Sequence, residues 1–246
     1  MKMKSYRAFC AAFGTAATFA ATASAARAAL PPAYLTVTWG DDALHLLDDG
    51  LNPLDAFRVG GRNPNGVATD SATIWTVTFG DRMVRAFDLA GQLQYSWSDD
   101  QLMNAQDMAY LGNGQLLVFT FTGGQPRLVS YDARNGTVLG SVGLATGTSS
   151  VEGIAVDAAG VWRLESTHLH LTDPASGADL RMIPNPAAGA PFEGTALANL
   201  GGGRLMVGAS TGEWWEISAQ DGSVLGQGSN RLPMFGLAKW GLPETA

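Results

Sequence analysis

Val151-Glu152-Gly153-Ile154-Ala155-Val156-Asp157 decides the fold, because the chain repeats it. Pro64-Asn65-Gly66-Val67-Ala68-Thr69-Asp70 and Phe192-Glu193-Gly194-Thr195-Ala196-Leu197-Ala198 are close copies. Ala105-Gln106-Asp107-Met108-Ala109-Tyr110 and Met234-Phe235-Gly236-Leu237-Ala238-Lys239 are looser ones. With Gly66 as register, the copies fall at Asp107, Gly153, Gly194 and Gly236, at spacings of 41, 46, 41 and 42 residues. A short strand recurring at that period, with further strands between copies, is the signature of propeller blades.

Each unit reads as four strands. After the Gly66 strand come Ile74–Phe79, Met83–Asp88 and Leu93–Trp97, separated by the turn signals Gly80-Asp81 and Ala90-Gly91. The third strand of each unit ends in Asp or Ser (Asp88, Asp132, Asp173, Ser218), whose side chain can bond backbone two residues on and shape the next turn. The last copy, Gly236–Trp240, runs out of chain, but Tyr34–Gly40 resembles Ile74–Gly80 and begins the missing strands at the other end. The expectation is an all-β, five-bladed propeller of four-stranded antiparallel blades, closed by the C-terminal strand pairing with the N-terminal blade. No segment reads as a helix. Gly66, Gly153, Gly194 and Gly236, two residues before Ala68, Ala155, Ala196 and Ala238, put small residues on one face, where backbones approach closely near the axis. Asp107 is the acidic exception in that column.

Residues 30–246 are expected to form this single domain. Residues 1–28, with Lys2, Lys4 and Arg7 before an Ala/Phe-rich run and A-x-A sites, read as a secretory signal peptide, so the protein is expected to be secreted or periplasmic. Cys10, the one cysteine, lies inside that segment, so the mature chain would have no disulfide and no thiolate ligand. Cleavage would leave 11 basic against 22 acidic residues, a formal charge of −11. That balance excludes nucleic acid, and membrane surfaces after signal cleavage, as partners. A monomer that binds a small molecule, sugar or peptide is the expectation.

Propeller ligands bind at one end of the ring axis. At the starts of the inner strands that end carries Asn65, Gln106, Asp107, Glu152 and Glu193. The turns between second and third strands add Arg82, Glu165 and His168. So many oxygen donors suit a hard cation, calcium above all, with Asp107, Glu152 and Glu193 as metal ligands. Crowded carboxylates also raise one another's pKa, so the same three residues are candidate catalytic groups. Asn65, Gln106, Arg82, Glu165 and His168 are candidate ligand-binding residues. A polar rim that caps strand ends is the structural alternative. His170 and His45 occupy equivalent positions and read as packing residues, and most tryptophans read as core. No G-x-S-x-G elbow and no phosphate loop is present.

Asn65-Gly66-Val67-Ala68 and Glu152-Gly153-Ile154-Ala155-Val156-Asp157 resemble the first strands of NHL-type and gluconolactonase-like propeller repeats. In the lactonases an acidic residue before such a glycine helps hold a divalent metal. The resemblance therefore implies Glu152 and Glu193 as ligands and lactone or ester hydrolysis as an activity. The chain also resembles the plant-type glutaminyl cyclases, secreted five-bladed propellers. Asn65-Gly66-Val67-Ala68 is similar to their Asn-Gly-Ile-Ala strand, and Glu152-Gly153 to a Glu-Gly strand start. That resemblance implies acyl transfer within an N-terminal glutaminyl residue. A passive protein-interaction scaffold is the third class.

Overall fold

The computed structural model describes residues 31–144, 151–189 and 194–241 of the 246. The predicted signal segment and Glu193 lie outside the described residues. Twenty strands follow in chain order. The first is β1 (Tyr34–Thr38), with β2 (Ala43–Leu47) and β3 (Pro53–Arg58). Blade 1 is β4 (Pro64–Thr69), β5 (Ile74–Thr78), β6 (Met83–Phe87) and β7 (Leu93–Ser98). Blade 2 is β8 (Ala105–Gly112), β9 (Gln115–Thr122), β10 (Gln125–Asp132) and β11 (Val138–Gly143). Blade 3 is β12 (Val151–Asp157), β13 (Gly160–Glu165), β14 (His168–Thr172) and β15 (Asp179–Pro184). Blade 4 is β16 (Gly194–Gly201), β17 (Arg204–Ala209), β18 (Glu213–Ser218) and β19 (Val224–Ser229). β20 (Gly236–Lys239) pairs antiparallel with β1, so blade 5 has the order β20-β1-β2-β3.

The protein is a five-bladed β-propeller. Each inner strand packs on the next around the ring, from β4 through β8, β12 and β16 to β20, which returns to β4. One departure from the sequence reading is a 3-10 turn, Asp100–Asn104, between blades 1 and 2. Asp99 caps it, its carboxylate accepting from the N–H of Gln101.

The glycine column has the expected use. A Cβ on Gly66 would stand 2.6 Å from Met108 N and 2.8 Å from Asp107 Cα, so β4 lies directly on the β8 backbone. Gly236 lies likewise on Asn65 and Gly66, and Gly153 on Ala196 and Leu197. The column departs from expectation in blade 4. Gly194 faces the side chains of Val207, Leu164 and Ala187, and Ala196 holds the level that Gly153 holds in blade 3. Side chains sandwiched between blades form the cores, among them Trp162, Tyr131 and Phe119. The aspartates ending the third strands act as predicted: Asp88 Oδ1 accepts from the N–H groups of Ala90 and Gln92, and Asp132 Oδ1 from those of Arg134 and Asn135.

Candidate functional site

The inner strands share one irregularity, and it builds the site. In β4 the ladder steps from Pro64↔Thr78 to Gly66↔Val77, so Asn65 is bulged out. In β8 it steps from Ala105↔Thr120 to Asp107↔Phe119, bulging Gln106. In β12 it steps from Val151↔Glu165 to Gly153↔Leu164, bulging Glu152. In β16 it steps from Gly194↔Ala209 to Ala196↔Gly208, bulging Thr195. A bulge removes one residue from the pairing and re-aims its side chain. Four adjacent inner strands thus present Asn65, Gln106, Glu152 and Thr195 at one level around the axis, with Phe235 completing the ring just before β20. The position that the sequence reading gave to Glu193 is held by Thr195, two residues later.

The ring is hydrogen-bonded. Trp39 Nε1 donates to Asn65 Oδ1 at 2.7 Å, which fixes the amide and directs Asn65 Nδ2 toward Ala105 O and Gln106 Oε1, both at 3.4 Å. Thr195 Oγ1 donates to Met234 O. The indole of Trp39 stacks on Phe235, centroids 4.2 Å apart and planes 5° from parallel. Although the sequence suggests a core role for most tryptophans, Trp39 is 40% exposed, as is Phe79 at the equivalent position of blade 1. Both follow the last residue of a second strand, where the sheet ends and alternation no longer buries them. This end of the axis thus carries aromatic surface, the buried amide of Asn65 and the half-buried side chains of Gln106, Thr195 and Glu152.

Asp107 has a different role from its neighbours. It is 1% exposed; Oδ1 accepts from its own blade's Met108 N–H at 2.8 Å, and Oδ2 accepts from Ile154 N–H of blade 3, also at 2.8 Å. Charge-assisted bonds of this kind tie two blades together. We expect Asp107→Ala to destabilise the protein by about 3 kcal/mol, since it leaves a buried N–H on β12 without its acceptor. For a domain of this size that is a fall of roughly 6–12 °C in Tm. A normal melting curve for this variant would return Asp107 to the list of catalytic candidates.

Glu165 and His168 belong to a cluster in blade 3. Arg163, with no exposed side-chain surface, donates from Nη1 to Glu165 Oε1 at 2.8 Å and from Nη2 to Asp179 Oδ1 at 2.5 Å. Its Nε donates to Thr172 Oγ1 at 2.7 Å. His170 lies between the same carboxylates, with Nδ1 2.9 Å from Asp179 Oδ2 and Nε2 3.7 Å from Glu165 Oε2. Burial pushes the Glu165 carboxyl above the usual range, against the pull of His170 and Arg163. Burial also acts on Asp179, but Arg163 and His170 outweigh it and hold that carboxyl below its ordinary value. His168 sits at the edge of the cluster, its ring edge-on to His170 with centroids 6.3 Å apart and Nδ1 2.9 Å from Thr167 Oγ1. Similar groups recur in blade 5 (Thr38, Asp41, His45) and blade 1 (Thr78, Asp81, Arg85). His45 and His170 are therefore members of polar clusters, more specific than the packing role expected of them. Arg82 stands apart, paired on the surface with Asp100 at 2.5 Å and touching Met103.

Of the three metal ligands expected from the sequence, the described residues include Asp107 and Glu152. Calcium takes about 6–8 oxygen ligands. Both Asp107 oxygens accept backbone N–H bonds, Glu193 lies outside the described residues, and among the described residues no three His, Cys, Asp or Glu side chains form a metal-binding group.

No protein-family model matches the chain, and no curated protein matches it. Solved structures do. The Myxococcus xanthus glutaminyl cyclase superposes with a TM-score of 0.57 at 17% identity, covering 68% of this chain and 77% of that one. A protein of unknown function from Bacteroides caccae superposes with a TM-score of 0.56 at 14% identity, covering 81% of this chain and 73% of that one. At such identities the likeness is one of fold.

Proposed function

We propose that the ring of bulged residues is a binding site for a small ligand carrying an amine and an amide, the N-terminal residue of a peptide being the class that matches it best. One observation carries this reading. Four consecutive blades re-aim a polar side chain at the same level of the axis, and only Glu152 among the four bears a charge. Its carboxylate would accept from an ammonium or amine. The amide of Gln106, whose oxygen already receives Asn65, would donate to a carbonyl. Trp39 and Phe235 would cover the apolar part of the ligand. The basic and apolar N-terminal segment supports action outside the cytoplasm.

Likeness in fold to a glutaminyl cyclase favours one catalytic version. There the α-amino nitrogen of an N-terminal glutamine attacks its own side-chain amide carbon, a five-membered lactam forms, and the carbon–nitrogen bond to the amide breaks. Glu152 would take the proton from the attacking amine and return it to the leaving nitrogen, which departs as ammonia. Metal-assisted lactone or ester hydrolysis has less support, because both Asp107 oxygens are already engaged by backbone N–H groups.

Short peptides with N-terminal glutamine test both versions. Trp39 should report binding as a saturable change in tryptophan fluorescence. Glu152→Gln should weaken binding at least about tenfold, roughly 1.4 kcal/mol, the size of a charge-assisted hydrogen bond at a half-exposed site. Release of ammonia by the wild type and not by Glu152→Gln would establish cyclisation. Binding without ammonia would leave a recognition module, and no response to peptides with free or acetylated N-termini would favour the scaffold class. A rise in Tm that saturates with calcium would contradict the metal-free reading.

A further inference from the structure

The opposite end of the ring holds a second site. A groove of about 540 Å³ lies between blades 3 and 4, where the turns joining first to second and third to fourth strands emerge. That volume is within the range of roughly 300–1,000 Å³ typical of small-ligand pockets. Arg181 of β15 reaches across the blade boundary, its Nη1 donating to Ala219 O at 3.2 Å. Arg204, the first residue of β17, is held by Glu216 at 2.9 Å. Leu171 and the 55% exposed Leu225 line the groove with Trp162, whose indole Nε1 donates to Asp157 Oδ2 at 2.8 Å. Asp157 is the acidic residue of the lining, and its other oxygen is bonded as well: Oδ1 accepts from the N–H groups of Ala159 and Gly160. Gly202 and Gly203, both at positive φ, leave the backbone bare along one side, with nothing near where a Cβ would be.

We infer that this groove binds an organic carboxylate with a flat apolar body. A guanidinium presents its donors in a planar fork matched to a carboxylate. Exposed Leu225 sets an apolar side chain in the same groove, which suits a ring or short alkyl body better than a bare inorganic anion. With Arg204 paired to Glu216 and Asp157 bonded to Trp162, Arg181 is the guanidinium of the groove that no carboxylate pairs among the described residues. The site is independent of the bulge ring, so neither stands or falls with the other.

Benzoate, benzamide and inorganic phosphate are the probes, and the Trp162 indole N–H is the reporter in ¹⁵N–¹H spectra, assigned with Trp162→Phe. Benzoate should shift that resonance saturably, with Kd on the order of 1 mM. Benzamide, which has the same shape without the charge, should bind at least about tenfold more weakly, as should benzoate to Arg181→Gln or Arg204→Gln. Amide resonances away from the groove should stay in place in both variants, which shows that they fold. The inference is overturned if benzamide matches benzoate, if phosphate displaces benzoate at equal concentration, if both variants bind as the wild type does, or if the indole resonance does not respond.

Discussion

Gly66→Ala should be the most damaging single-methyl substitution in the inner ring. The added carbon would lie 2.6 Å from Met108 N and 2.8 Å from Asp107 Cα, and both atoms are backbone. A crowded side chain could rotate away, but here β4 and β8 must separate. That separation also strains Asp107, which holds β8 to β12 through Ile154. We expect a loss of roughly 3 kcal/mol or more, at the upper end of what overpacking costs. Gly40→Ala is the control: nothing lies within 4 Å of its Cβ position, so its effect should stay within about 0.5 kcal/mol. Thermal unfolding of both variants checks the pair. If they melt alike, the close approach of inner strands is not what fixes the ring.

The blade count and strand order were legible because the pattern that reveals them is the pattern that packs. Small residues recur where inner strands touch, and aspartates recur where third strands turn. Blade 4 shows the limit. Phe192-Glu193-Gly194-Thr195-Ala196 matches the string Val151-Glu152-Gly153-Ile154-Ala155, yet the level of Gly153 is held by Ala196. A bulge is a property of two paired strands, and its place in β16 depends on where Ala209 and Gly208 of β17 meet it. The string of one strand cannot show that. Thr195 was missed for this reason, although the conflict was visible in Gly194 and Ala196 both being small enough for the column.

The site was legible by level and less so by role. Asn65, Gln106 and Glu152 stand where the repeat put them, because the bulge precedes the column residue in each blade. Asp107 lies one residue further on and so points between blades, where its carboxylate meets buried N–H groups. One position along a strand separates a bulged residue from one that bonds between blades. Trp39 could have been found from its match with Phe79 in Thr38-Trp39-Gly40 and Thr78-Phe79-Gly80, where an aromatic before a turn glycine has left the buried ladder. Arg163 gave no signal of its own. Glu165 lies two residues along its own strand, but Thr172 and Asp179 come from the next two strands and meet Arg163 only across the sheet.

That cluster yields the other large effect. Arg163→Ala should destabilise the protein by about 2–4 kcal/mol at neutral pH, because it empties a fully buried side-chain volume and leaves two partly exposed carboxylates without their partner. Two carboxylates lose the same guanidinium, and His170, 2.9 Å from one and 3.7 Å from the other, can replace only part of it. The pH dependence distinguishes this cause from a simple loss of packing. Glu165 is already raised by burial, so the folded state holds its proton more tightly than the unfolded chain, and that penalty grows as pH rises through the raised pKa. Asp179 is lowered, so its stabilisation is present above the ordinary carboxylate pKa and is lost as pH falls below it. Without Arg163, Glu165 should rise further and Asp179, left with His170 alone, should be less depressed. The Glu165 share of the variant's deficit should therefore shrink as pH falls from 7 toward about 4, and the Asp179 share only below that, as its depressed carboxyl takes up a proton in the folded wild type. Urea unfolding of wild type and variant across that range measures it. A deficit that stays constant with pH would mean that Arg163 acts by filling space and that its two ion pairs contribute little.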